Sequence, residues 1–372
     1  MKTLGLYIHI PFCKSKCGYC DFNSYAGKEG LVEPYFDALN REIELASNKY
    51  TGPVDTIYFG GGTPTYVKPK YICKTIDTIR NNFEQCSKLE ITTECNPGTV
   101  EYKELCELYD GGINRLSIGL QSADNGCLKN LGRIHTFEDF DKCFHNARKV
   151  GFNNISLDLM YGLPDQTMDD WTETLKKAVS FKPKHISAYA LKIEEGTPFA
   201  NAKLNLPNDD TVADMYQQAV QVLGSAGYNR YEISNFSLPG YESRHNLKYW
   251  QYNDFLGFGA GAFSCTDGVR FSNALNIEEY IDSINEKKGA EVYREELSDF
   301  DKMSEFVFLG LRLEKGIGEK EFQKRFNLNI DEVFGKQIEK YTKTGFLIRE
   351  NGKICFSDKG FFVSNIILAE FV

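Results

Sequence analysis

Cys13, Cys17 and Cys20 fall within one run of eight residues, Cys13-Lys14-Ser15-Lys16-Cys17-Gly18-Tyr19-Cys20. Three thiolates at this spacing can each take one iron of a cubane iron–sulfur cluster, and two lysines in an exposed loop favour the thiolate form. The fourth iron then lacks a local protein ligand and stays open to the amino and carboxylate groups of a bound molecule. Two other readings use the same residues: a zinc site completed by His9, and a coincidence of spacing. Zinc sites usually draw on two close cysteine pairs, and only one group is present. Cys73, Cys86, Cys95, Cys106, Cys127, Cys143, Cys265 and Cys355 are scattered, bringing the total to an odd eleven. That pattern argues against a disulfide framework and predicts a reducing, cytoplasmic setting.

A loop of this kind needs elements to hold it. Short β-rich apolar segments recur at Leu4–Ile10, Val54–Phe59, Leu89–Thr93, Arg115–Leu120, Ile155–Met160 and His185–Leu191. Helical spacing fills the intervals at Val32–Ser47, Tyr71–Asn82, Val100–Tyr109, Phe137–Val150 and Met168–Ser180, and again at Thr211–Ser225. Strands and helices in alternation predict an α/β fold, with parallel strands and right-handed crossovers, as an open sheet or a barrel. In either, ligands gather at the carboxyl ends of the strands. The pattern changes after about residue 230, giving three expected regions: a β/α core over 1–230, a connecting segment over 231–298 and a C-terminal unit over 299–372. The small-residue run Gly257–Ala262 reads as flexible. The last region predicts helices at Lys302–Leu313, Glu319–Phe326 and Ile330–Thr342, then strands Phe346–Arg349 and Lys353–Phe356 around Glu350-Asn351-Gly352, a winged-helix-like α+β unit.

The cysteine run follows the first strand. After the second stands Gly60-Gly61-Gly62-Thr63-Pro64, whose bare backbone allows close approach of a ligand and whose carbonyls can receive an ammonium group; tight turns use the same residues. Glu94, Gln121 and Asp158 lie at the ends of the third, fourth and fifth strands. One donor or acceptor at each successive strand end suits a nucleoside, whose ribose hydroxyls and base edge need partners away from water. Three unrelated helix caps are the alternative. Arg133 offers a planar fork for a carboxylate, or a surface ion pair.

The C-x3-C-x2-C run in this position resembles the signature of the radical S-adenosylmethionine superfamily. The motifs Tyr7-Ile8-His9-Ile10-Pro11-Phe12-Cys13, Tyr58-Phe59-Gly60-Gly61-Gly62-Thr63-Pro64 and Leu131-Gly132-Arg133-Ile134-His135 are similar to those of the oxygen-independent coproporphyrinogen oxidase family and its relative, the heme chaperone HemW, over nearly the whole chain. The resemblance implies a partial (β/α)6 barrel with a C-terminal domain. It also implies a [4Fe–4S] cluster and an S-adenosylmethionine site lined by Tyr7, Tyr19, Gly61, Gly62, Thr63, Glu94, Gln121, Arg133, Asp158 and Ala190.

Two departures separate the chain from the oxidase. The oxidase carries a further cysteine two residues after the third ligand, where Phe22 stands here, and has an N-terminal extension of several dozen residues, whereas this cluster motif begins at residue 13. His245-Asn246-Leu247-Lys248-Tyr249-Trp250 looks like the H-N-x-x-Y-W motif of the chaperone. By that resemblance His245, Tyr249 and Trp250 contact heme, the imidazole as axial ligand and the rings by stacking; on residue chemistry alone, His245 and Tyr249 can equally pack on one helical face. The expectation is a heme chaperone serving heme-accepting proteins, membrane respiratory enzymes among the candidates, with coproporphyrinogen oxidation as the alternative and a homodimer as one possible state. The balance of 43 Lys+Arg against 52 Asp+Glu gives a formal charge of -9, which disfavours nucleic acid as a partner. No apolar run approaches the roughly 20 residues of a membrane helix, and His9 and Pro11 interrupt the opening apolar stretch before it reads as a secretory leader.

Overall fold

Six strands lie side by side in chain order: β1 (Leu4–Ile10), β2 (Val54–Gly61), β3 (Gln85–Cys95), β4 (Arg115–Gln121), β5 (Asn154–Tyr161) and β6 (His185–Ala190), with every neighbouring pair parallel. The structure is a computed structural model and describes residues 2–287 and 289–372. Helices α1 (Val32–Ser47), α2 (Pro69–Asn82), α3 (Tyr102–Asp110), α4 (Asn125–Asn130), α5 (Phe137–Val150) and α6 (Met168–Ser180) make the crossovers, and α7 (Asp209–Ser225) follows β6. Every residue of β4 is buried, as expected of a parallel strand covered on both sides. The Thr136 and Thr167 capping boxes, closed by Asp139 and Asp170, start α5 and α6 where the sequence spacing places them. The short α4 has no counterpart in that spacing, because six residues carry less than two helical turns of periodic signal.

β1 and β6 are not paired with each other, so the sheet stays open. It nonetheless curls round a lumen of about 370 Å³, to which β2 through β6 all contribute side chains. This is the partial barrel expected.

Residues 231–298 are more than a connection. After β7 (Asn229–Arg230), β8 (Asn235–Ser237) pairs antiparallel with β6. Helix α8 (Arg244–Trp250) leads to β9 (Phe255–Phe258), which pairs parallel with β1. β10 (Phe263–Thr266), β11 (Val269–Asn273) and β12 (Glu291–Glu296) extend the same sheet to twelve strands, with α9 (Ile277–Lys287) packed beside α1. Leu256, Phe258, Ile277 and Tyr280 bury into the core that holds β1 and α1. The small residues expected to be flexible are instead a close-packing device. Gly259 sits at φ +99°, where a Cβ would lie 2.3 Å from Tyr35 Oη and 2.8 Å from His9 O.

The C-terminal unit has its own core around Phe322, Phe334, Ile338, Ile354 and Phe356. It comprises α10 (Asp299–Gly310), β13 (Ile317–Gly318), α11 (Glu319–Phe326), α12 (Ile330–Lys343), β14 (Leu347–Glu350), β15 (Lys353–Phe356), α13 (Asp358–Phe362) and α14 (Ser364–Leu368). The expected three helices and two-stranded wing are present, joined by β13 as a third strand. Asn351 and Gly352 both take positive φ at the hairpin turn, as a two-residue connection of opposite strands prefers. Among the described residues no helix is long and apolar enough to cross a membrane.

Glu42 of α1 joins the added strands to the barrel, accepting from Gly259 N at 2.9 Å, Asn273 Nδ2 at 2.6 Å and Tyr280 Oη at 2.5 Å. Loss of hydration pushes its carboxyl up from 4.5 to about 7, against those three donors. The folded chain therefore holds this proton more tightly than the unfolded chain, so Glu42's contribution is full below about 4.5 and declines as pH rises towards 7. Urea unfolding across that interval is expected to show a shallower fall in stability for Glu42→Gln than for the parent protein.

Candidate functional site

The cysteine loop is held by main-chain hydrogen bonds on three sides. Cys13 N donates to Tyr25 O at 2.9 Å and Tyr25 N to Pro11 O at 2.8 Å, closing the loop on itself. Gly62 N donates to Ile10 O at 2.9 Å and Thr63 N to Phe12 O at 2.9 Å, tying it to the end of β2. Gly18 N donates to Leu131 O at 3.2 Å, tying it to the Leu131-Gly132-Arg133 turn. A Cβ on Gly62 would lie 2.8 Å from Phe12 O, 2.9 Å from Ile10 O and 3.0 Å from Cys13 Sγ, so only glycine permits this contact.

Burial pushes the Cys13 and Cys20 thiols up, and Lys16 Nζ donates to Phe22 O at 3.0 Å. At Cys13 and Cys20 the expectation that lysines and exposure favour thiolate is therefore corrected: desolvation outweighs the nearby positive charge. His9 is also accounted for, with Nδ1 at 3.1 Å from Tyr7 Oη and Nε2 at 2.8 Å from Asn23 O. It offers no nitrogen to a zinc ion, and among the described residues no three His, Cys, Asp or Glu side chains gather round one metal position. A cubane makes a different demand, since each thiolate takes its own iron.

The three cysteines open onto the lumen, which is lined by Tyr19, Gly61, Gly62, Thr63, Glu94, Gln121, Arg133, Asp158 and Ala190. Tyr7 alone among the sequence-predicted residues of this site does not line it; its ring stacks on Tyr58 at 6.3 Å. Glu94 accepts from Tyr58 Oη at 3.0 Å and Gly61 N at 3.2 Å, and its carboxyl is pushed up to about 7 by burial and by the charge of Asp158. Asp158 is raised by burial against the Ser187 and Ser117 hydroxyls. Arg133 donates to Asn96 Oδ1 at 2.8 Å, Gly119 O at 3.4 Å and Tyr19 Oη at 3.4 Å, and approaches Cys17 Sγ at 3.7 Å. Among the described residues its Nε is buried without a partner, leaving capacity for a carboxylate. Gln121 ends β4 at φ 64°, a conformation that a side-chain-bearing residue keeps only where its surroundings enforce it. None of Glu94, Gln121 and Asp158 caps a helix; side-chain caps on the nearby helices come from Asp124, Thr136 and Thr167. Two raised acids, an arginine with a spare donor and bare glycine backbone are groups that could satisfy a nucleoside-bearing amino acid.

The lumen also holds residues that the strand-end rule did not nominate. Asn96, one residue beyond β3, orients Arg133 and meets His135 Nδ1 at 3.1 Å, and lay within that rule's reach. Arg115 is 2 % exposed and lines the lumen from the amino end of β4, where the rule does not look. His185 faces the lumen from β6, held by Ser156 at 2.7 Å and Tyr231 at 2.8 Å.

Helix α8 closes the amino end of the barrel. Lys248 Nζ pairs with Asp55 Oδ1 at 2.7 Å and donates to Thr3 O at 3.1 Å, and Arg244 donates to Lys88 O. His245 is 1 % exposed. Its Nδ1 meets Thr56 Oγ1 at 2.9 Å and its Nε2 meets Tyr249 Oη at 2.8 Å. Burial and the charges of Lys248 and Arg115 push it down to about 3, so the ring is neutral and both nitrogens are engaged. Neither is presented to an incoming iron in this arrangement. Asn246 faces the lumen, whereas Tyr249 lines a second cavity of about 1050 Å³ on the far side of the helix. The indole of Trp250 lies against Arg312 at 5.6 Å.

Residues 7–178 match the Radical SAM superfamily and residues 297–363 the HemN C-terminal domain. The chain is 36% identical over 373 residues to a heme chaperone HemW of Bacillus subtilis, covering 98% of each chain. It is 34% identical to a heme chaperone HemW of Lactococcus lactis, covering 100% of this chain and 98% of that one. Coproporphyrinogen III oxidase (HemN) from Escherichia coli, described as a radical SAM enzyme, superposes with a TM-score of 0.88 at 25% identity, covering 100% of this chain and 90% of that chain.

Gly62→Ala tests the site's architecture. The variant is expected to keep its far-ultraviolet circular dichroism but to lose most of the iron and sulfide that the parent takes up on anaerobic reconstitution, as measured by metal and sulfide analysis.

Proposed function

The chain belongs to the heme chaperone HemW family within the radical S-adenosylmethionine superfamily, and from that membership we propose that it binds heme and delivers it to acceptor proteins. In this reading Cys13, Cys17 and Cys20 carry a [4Fe–4S] cluster and the lumen holds S-adenosylmethionine. The cluster, when bound, supplies one-electron chemistry at its open iron. The chain's own residues do the positioning: Arg133 takes the methionyl carboxylate, the Gly60–Gly62 backbone the ammonium group, and Glu94 and Asp158 the ribose hydroxyls. Gln121 and Ala190 line the remaining wall, and Tyr19 shields Arg133 from water.

The observation that carries the chaperone reading over the oxidase is Phe22. It stands 61 % exposed at the mouth of the lumen, where the resemblance places a cysteine in the oxidase. A benzyl side chain has no exchangeable proton or weak S–H bond to contribute there. In this reading α8, which carries His245, Tyr249 and Trp250, borders the heme through Tyr249 and does not ligate its iron through His245, acceptors are heme-dependent proteins, membrane respiratory enzymes included, and the setting is the cytoplasm.

Hemin-loaded protein mixed with an apo-acceptor enzyme is expected to transfer hemin at a rate that rises with acceptor concentration, since direct hand-over is bimolecular. A rate independent of acceptor would mean simple dissociation and contradict the proposal. The reduced, cluster-replete protein given S-adenosylmethionine and coproporphyrinogen III is expected to yield no protoporphyrinogen by chromatography; sustained product would favour the oxidase instead.

A further inference from the structure

The lumen and the second cavity differ in what they can hold. Ligand sites for molecules of drug size span about 300–1,000 Å³; the lumen, about 370 Å³, is at the lower end and is committed to a nucleoside cofactor. The second cavity, about 1050 Å³, lies between α8, β9 and β10 on one side and α10 and α11 on the other. Its walls include the flat or apolar side chains of Phe255, Met303, Leu309 and Phe326.

Its polar groups are unevenly satisfied. Arg270 pairs with Glu305 at 2.6 Å, Lys2 with Asp267 at 3.1 Å and Lys302 with Asp299 at 3.3 Å. Lys324 and Arg325 line the cavity from α11 with no salt bridge among the described residues, and Glu321 is the one lining carboxylate in the same condition. The α11 wall therefore offers two cations against one acid. Among the described residues Tyr252 Oη is buried without a hydrogen-bond partner, a condition that costs stability unless a ligand relieves it. Tyr252 also holds φ 51°, and Arg325 meets it twice, Nη1 donating to its carbonyl at 2.7 Å and the guanidinium lying over its ring at 5.6 Å. The free thiol of Cys265 lines the same cavity.

We infer that this interdomain cavity, and not the barrel lumen, holds the heme: a flat metalloporphyrin with its ring against Phe255 and Phe326, its carboxylates towards Lys324 and Arg325, and its iron facing the Tyr252 and Cys265 side. The inference rests on the heme-binding reading above and assigns it a place. Tyr249 borders the cavity, and His245 behind it is a positioning residue that fixes the phenol through its 2.8 Å hydrogen bond. This explains how a motif associated with heme can contain a histidine whose nitrogens are both engaged inside the barrel.

The test is hemin titration of the reconstituted full chain, followed in the Soret region, for the parent, Leu309→Trp, Lys324→Glu and Tyr252→Phe. Leu309→Trp pushes a bulky ring into the cavity from the α10 wall, and Lys324→Glu reverses an exposed charge that makes no salt bridge among the described residues. Each is expected to weaken hemin binding about tenfold, or roughly 1.4 kcal/mol, with cluster absorption unchanged. Tyr252→Phe is expected to alter the ferric hemin spectrum while metal-free protoporphyrin IX still binds. Saturating S-adenosylmethionine is expected not to displace hemin; competitive displacement would put heme in the lumen and overturn the inference. Parent-like affinity in both Leu309→Trp and Lys324→Glu would overturn the site while leaving heme binding standing. A parent protein that takes up no hemin would remove the heme-binding reading and this inference together.

Discussion

A loop that carries three sulfurs at the mouth of a barrel cannot be fixed by side chains that must stay free for metal. Here the ends of β1 and β2 are stitched together by main-chain bonds from Gly62 to Ile10 and from Thr63 to Phe12, both 2.9 Å. Neighbouring parallel strands already run in register through Ile10 and Gly61, and these bonds continue the pairing beyond the sheet with Gly61 turned to φ +110°. What they require is the absence of a side chain at Gly62. The position of Cys13 follows from that contact, and the bond between Gly18 and Leu131 brings Cys17 under Arg133.

Below the loop the lumen is a charge-balanced interior. Glu94 and Asp158 face Arg115 and Arg133, and burial raises both acids. Removing either arginine would take from buried Asp158 a positive charge that offsets its burial. The acids also make few intramolecular bonds for groups so enclosed, which leaves acceptor capacity for hydroxyl donors on a ligand. His185, which lines the lumen, is pushed down by burial, so it adds hydrogen bonds to this interior without adding charge.

Much of the arrangement was legible in the residues. Six strands with helices between them led to the parallel sheet, because apolar runs bounded by helical spacing leave few other folds, and the rule that ligands sit at strand ends pointed to Glu94 and Gln121, which share one cavity with Asp158, although Asp158 enters it from the middle of β5. Arg115 escaped, since it enters the lumen from the opposite end of its strand. The added strands β7 to β12 escaped as well: β7 and β8 are two and three residues long, too short for alternation to register, and the buried Gly257–Ala262 run has the composition of a flexible link. The surroundings of His245 were not legible either. Four-residue spacing places it beside Tyr249, but only the tertiary fold brings Thr56 to its other nitrogen.

The central claim is that the three-cysteine loop and the lumen beneath it form one site, in which a cluster iron and Arg133 share a single ligand. Electron paramagnetic resonance of the reduced, cluster-replete protein tests this most directly. S-adenosylmethionine is predicted to change the cluster's spectrum in the parent and to need much higher concentrations to do so in Arg133→Met. A fully loaded cluster whose spectrum is indifferent to S-adenosylmethionine would contradict the account.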